Sequence, residues 1–198
     1  MTARTPALVP LFAALLFFSA CAAPTAERRL SYAVYGEYAH DSNKLMKNGL
    51  NRRVFNKVES QAGSDIRLNA DGSITLEPGT YRISGVSTVT MQTTFAPPVI
   101  THDNNYPGYS LVYPVSVENA GMTTVQQAIA IGTPNTASDL SPSVFDAIFT
   151  VTARTDIAVG HQSGNDLHDE VYLSIYDVAG EKSDYHAVAR ISITRLDP

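Results

Sequence analysis

Alternation of apolar and polar positions dominates this chain from Leu30 onward. Ile66 and Leu68 stand opposite Ile74 and Leu76 across Asn69-Ala70-Asp71-Gly72, the pattern of two short strands joined by a turn. Glu77-Pro78-Gly79-Thr80 follows, with proline and glycine in the order a type II turn prefers. Tyr81, Ile83 and Gly85 open the next strand, and Val89 and Met91 continue its period of two. Tyr109, Leu111, Tyr113, Val115 and Val117 line one face of another. Pro114 sits on that strand's opposite face and cannot donate a ladder hydrogen bond, so the pattern predicts an edge strand. Val125, Gln127, Ile129 and Ile131 form a further candidate.

The C-terminal half alternates more strictly. Phe145, Ala147, Phe149, Val151 and Ala153 share one face, with Asp146, Thr150 and Thr152 opposite. Ile157 and Val159, then Val171, Leu173 and Ile175, then Ala187, Ala189, Ile191 and Ile193 give the remaining stripes. A helical period would put polar residues into the core here. Only Asn43 to Glu59 has helical character, with Met46, Leu50 and Val54 four residues apart. Asn48-Gly49 interrupts it, so a short helix or a loop is expected. About ten strands without a βαβ repeat predict an all-β fold, one antiparallel β-sandwich or barrel. Ala96 to Gly108 and Thr133 to Ser143 read as long loops, where binding sites tend to be built.

The first residues follow a different pattern. Leu8 to Ala20 is a continuous apolar run preceded by Arg4, shorter than the ~20 residues a spanning helix needs. It ends at Cys21, the sole cysteine among 198 residues. Phe18-Ser19-Ala20-Cys21 resembles a bacterial lipoprotein signal, although Phe18 stands where that family most often has leucine. The resemblance implies that residues 1–20 are cleaved as a signal peptide and that Cys21 carries covalent lipid, including a palmitate-type chain. Residues 21–29 would then be a lipidated cysteine and tether, reaching at most ~30 Å, and residues 30–198 one domain. Ala22 after the cysteine resembles the outer-membrane-sorted pattern. An ordinary signal peptide cut after Ala23 or Ala26 is the alternative.

Composition narrows the classes. With one cysteine the domain has no internal disulfide, so packing alone must hold it. The roughly 170 residues after the leader suffice for one core. A net charge of −5 and an exported chain argue against nucleic acid as a partner.

Ile74-Thr75-Leu76-Glu77-Pro78-Gly79-Thr80-Tyr81-Arg82-Ile83 resembles the strand-turn-strand segment of tumour-necrosis-factor-like and complement-head jelly rolls. Phe149 to Gln162 is loosely similar to a later strand pair in those domains. The resemblance implies a jelly-roll-like sandwich that assembles as a homotrimer through aromatic faces. It carries over no ligand-binding residue.

Candidate chemistry is sparse. No G-x-S-x-G elbow, H-E-x-x-H pair or phosphate-cradling glycine loop occurs. The densest polar stretch runs from His161 to Glu170. His161, Asp166, His168, Asp169 and Glu170 could ligate a divalent metal, but their spacing matches no established loop, and a solvated acidic turn is the preferred reading. Asp103, Asn104, Asn105, Tyr106 and Tyr109 combine rings with amide and carboxylate groups, which suits a sugar face or a protein surface. Tyr109 and Tyr113 read rather as core residues of the edge strand, and Tyr106 is the better exposed candidate. Lys44, Lys47, Arg52, Arg53 and Lys57 form a basic cluster that could meet an anionic leaflet. The expectation is therefore a lipid-anchored envelope protein that binds a protein or glycan partner or self-assembles. The alternative is a hydrolase or metal-dependent enzyme acting on envelope polymers.

Overall fold

A computed structural model describes residues 30–38, 46–91, 108–119, 124–135, 142–163, 171–172 and 187–197. The strands are β1 (Tyr32–Tyr38), β2 (Leu50–Arg52), β3 (Lys57–Ala62), β4 (Ile66–Leu68), β5 (Ile74–Leu76), β6 (Gly79–Ser87) and β7 (Thr90–Met91). They continue as β8 (Gly108–Pro114), β9 (Ala130–Asn135), β10 (Ser143–Val151), β11 (Thr155–Gln162), β12 (Val171–Tyr172) and β13 (Ala187–Arg195). A short helix α1 (Val115–Asn119) and a 3-10 turn (Thr124–Gln127) lie between β8 and β9.

Two antiparallel sheets form the sandwich. The first has the order β10-β6-β13-β1-β3, the second β4-β5-β11-β8-β9, with β2 also pairing β11. Setting aside the added strands, consecutive segments β1, β5, β6, β8, β9, β10, β11 and β13 interleave as β1-β13-β6-β10 and β5-β11-β8-β9. That is the double Greek key of a jelly roll. The expected all-β jelly-roll sandwich is present.

The core lies where the two inner faces meet. Ala33 and Tyr35, Tyr81 and Ile83, Ala189, Ile191 and Ile193, and Phe145 come from the first sheet. Ile66, Ile74, Leu76, Val112, Ile157 and Val159 face them from the second. Removing this apolar area from water is the main favourable term holding the sheets together. The second sheet's outer face is covered too. Leu111, Tyr113 and Ala158 are buried there beneath Leu50, Val115 and Ala128.

Four local expectations need correction. The strand ending at Pro114 is interior, between β11 and β9, because proline occupies its last position, where the ladder is ending anyway. Val115 and Val117 belong to α1, not to that strand. From Met46 onward the segment expected as a short helix or loop contains a turn and two strands. Asn51 fixes the turn by accepting from Lys47 N–H (2.8 Å) and donating to the Lys47 carbonyl (2.7 Å), and β2 and β3 gain more by pairing with β11 and β1. Glu77 to Thr80 carries the chain between sheets. Gly79 lacks the positive φ of a type II turn, and its value is space: a Cβ there would lie 2.9 Å from both Arg195 Nε and Asp197 Oδ1. The turn before Ser73 fulfils its expectation, with Gly72 at φ 80° and Asp71 accepting from Ser73 N–H at 3.0 Å.

Candidate functional site

Strand register gathers the ends of both sheets on one side. Tyr38 pairs with Ala187, Ser87 with Ser143 and Ala189, and Gln162 with Tyr109. Beneath this end lies a chain of buried polar groups drawn from both sheets. Glu37 ends the inward phase of Ala33 and Tyr35, Ser87 that of Tyr81, Ile83 and Gly85, and His161 that of Ile157 and Val159. Arg53 enters just after β2, its N–H bonded to the Val159 carbonyl at 2.9 Å.

Arg53, Ser87 and His161 are 0% exposed and Glu37 is 8% exposed. Arg53 Nη1 stands 3.5 Å from Glu37 Oε2, Arg53 Nε donates to Ser87 Oγ at 2.8 Å, and Arg53 Nη2 donates to the Thr88 carbonyl. Ser87 Oγ lies 2.9 Å from His161 Nδ1. Arginine only donates, so Ser87 Oγ accepts from it and keeps its own proton for a second partner. Burial, reinforced by the charge of Arg53, pulls His161 from 6.5 down to about 3. Burial likewise pulls the guanidinium below its ordinary value, against the opposing carboxylate of Glu37.

A Ser–His pair within hydrogen-bond distance suggests nucleophilic chemistry, but the geometry opposes it. Neither Ser87 nor His161 meets solvent, and the serine oxygen is held by the guanidinium instead of facing an electrophile. The arrangement ties the sheets together. A second tie stands beside it, where Ser143 Oγ accepts from Ser110 N–H at 2.7 Å and donates to the Thr133 carbonyl at 2.5 Å. Gly132 lies so close to both serine hydroxyls that no Cβ fits.

The candidate residues from sequence separate accordingly. His161 belongs to the buried network, with Nδ1 engaged by Ser87. Tyr109 is half-buried on the outer face of the second sheet. Cys21, Asp103, Asn104, Asn105, Tyr106, Asp166, His168, Asp169 and Glu170 lie outside the described residues, as does Lys44. The basic cluster does not form one face. Arg53 is buried, Arg52 bridges Asp71 (3.0 Å) and Glu118 (3.2 Å), and Lys57 Nζ sits 4.3 Å over the Tyr38 ring.

Sequence reasoning also missed exposed apolar side chains on two edge strands. Edge strands β9 and β10 meet on one side of the sandwich, joined by Val144 N–H donating to Thr133 Oγ1 at 3.1 Å. Ile131, Val144 and Ile148 are 54%, 46% and 64% exposed there. Among the described residues the large apolar side chains that are exposed are aliphatic, while Tyr32, Tyr38, Tyr109 and Phe149 are half-buried.

No protein-family model matches this sequence. No curated protein is similar to it in sequence. Solved structures similar to it include murine APRIL at pH 8.0, with TM-score 0.49, 9% identity, and coverage of 84% of this chain and 99% of that one. Murine APRIL at pH 5.0 gives a TM-score of 0.47 at 9% identity with the same coverage. Pika GITRL gives 0.40 at 14% identity, covering 86% of this chain and 98% of that one. The jelly-roll assignment rests on the strand order itself.

Proposed function

We propose that this chain is a lipid-anchored protein of the cell envelope whose jelly roll is a binding module that self-assembles along the β9–β10 side. The observation that carries assembly is the exposure of Ile131 on β9 and of Val144 and Ile148 on β10, the strands that end the two sheets on the same side. An edge strand offers unpaired backbone groups, and exposed branched apolar side chains beside it make it a template for another chain. The ligand surface in this reading is the end of the sandwich where the strand ends gather, carried on the rigid base of the buried network. The anchor rests on Phe18-Ser19-Ala20-Cys21, and Ala22 favours the outer membrane.

Light scattering on the chain from Ala22 onward, which contains every strand of both sheets, tests assembly. A trimer that Ile148→Lys converts to monomers is the expected result, and a monomer throughout removes self-assembly from the reading. Cys21→Ala should abolish incorporation of labelled fatty acid. Persistent labelling would place the lipid elsewhere.

A further inference from the structure

The chain enters the sandwich at the end opposite the buried network, and this has a consequence for orientation. Beyond the Tyr32–Thr194 pair, Arg195 N–H donates to the Ser31 carbonyl at 2.9 Å. Continuing that antiparallel register sets Leu30 opposite Leu196. The two leucines are 63% and 50% exposed, side by side on the outer face of the first sheet. Charged groups surround this end in matched sets. Arg195 bridges Asp65 (3.1 Å) and Asp197 (2.9 Å), and Glu77 lies 3.3 Å from Arg67 and 3.9 Å from Arg154.

We infer that Leu30 and Leu196 form a contact with the lipid surface, and that the protein stands on the membrane with this end down and the opposite end outward. The inference rests on the lipid-anchor reading of Cys21. From Cys21 to Leu30 the chain reaches at most ~30 Å. That is about the length of the sandwich itself, since the nine residues of β10 span roughly 30 Å. Turning the opposite end to the leaflet would therefore require the tether to be drawn out fully along the sandwich. With the entry end down, no such extension is needed. Two adjacent apolar side chains then meet the interfacial region, where exposed leucine is favoured over water. Arg195, Arg67 and Arg154 are balanced by Asp65, Glu77 and Asp197, while Arg28 and Arg29 precede Leu30 in the sequence.

The sequence has no tryptophan, so one introduced indole reports alone. The full-length lipidated protein would be placed in phosphatidylethanolamine–phosphatidylglycerol vesicles containing brominated phosphatidylcholine. Three variants would be compared: Leu30→Trp, Leu196→Trp and Val54→Trp. Val54 is 36% exposed at mid-height of the second sheet, beside Gly72, and serves as the control set back from the entry end. All three sites are surface positions, and circular dichroism would confirm an unchanged fold. Blue-shifted, quenched emission from Leu30→Trp and Leu196→Trp with unquenched emission from Val54→Trp is expected. Lipid label on Cys21 with all three unquenched, or with Val54→Trp quenched more, overturns the orientation and leaves the anchor standing. Absence of lipid on Cys21 overturns the anchor reading and the orientation with it.

Discussion

The two ends of the sandwich hold charge in opposite ways. At one, a single guanidinium, Arg53, is sealed from water against Glu37, Ser87 and a neutral His161. At the other, Arg195, Arg67 and Arg154 pair with Asp65, Asp197 and Glu77 in partial or full contact with solvent. The donor and acceptor types are nearly the same, and the surroundings differ. A buried charge that loses its partner has no water to replace it, whereas an exposed one is resolvated at once. The first end should behave as a required structural element and the second as a weak ornament of the surface.

Arg53→Ala gives the sharpest break. It leaves the Glu37 carboxylate without its guanidinium and Ser87 without a donor, and should cost ~3–5 kcal/mol in urea denaturation. Arg53→Met, which fills the volume without charge, should leave the same carboxylate but a smaller cavity and cost less. A loss below ~1 kcal/mol for Arg53→Ala would erase the distinction between the ends.

His161 supplies the next largest effect, and it depends on pH. Its folded pKa of about 3 lies below the ordinary 6.5, so between those values the unfolded chain binds the proton and the fold resists it. The resulting stability is complete above 6.5 and falls as pH drops through that window, by about 1.4 kcal/mol per unit. His161→Asn keeps an acceptor for Ser87 and removes the titration. The slope of unfolding free energy against pH should decrease by about one proton over that range. An unchanged slope would show that the imidazole is not held neutral.

Much of this was legible in the alternation, and the failures have physical causes. The stripes of β10, β11 and β13 put Phe145, Val151, Ile157, Val159, Ala189, Ile191 and Ile193 in the core, with Ala147 and Phe149 half-buried, and the Ile66–Leu76 hairpin pairs as its turn residues predict. Glu37, Ser87 and His161 were also within reach of the pattern, because each continues the inward phase of its own strand. Arg53 was not. Leu50 and Val54 drew attention to the wrong face, since β2 docks on β11 with Asn51, Arg53 and Phe55 inward and leaves Val54 exposed. That choice is made by pairing across more than a hundred residues, and no local pattern carries it. The exposed apolar side chains of the edge strands escaped for a related reason. Val144 and Ile148 lie on the polar phase of β10, beside Asp146 and Thr150, and their exposure follows only once β10 proves to be an edge.

The smallest effect belongs to the solvent-facing end and limits the comparison from below. Arg195 retains 20% of its side-chain exposure and Asp65 28%, with 3.1 Å between them. A double-mutant cycle of Arg195→Ala and Asp65→Ala should return a coupling of ~0.2–1 kcal/mol, shrinking as salt is raised. Arg82 and Asp146 are 61% and 51% exposed at 3.0 Å, and their cycle should fall at or below the bottom of that range. If the Arg195 cycle instead approached the cost of Arg53→Ala, exposure would not be the variable that separates the two ends. The hydrogen bond from Arg195 Nη2 to the Pro78 carbonyl at 3.0 Å, which fastens the chain between the sheets, would then be the contact to test.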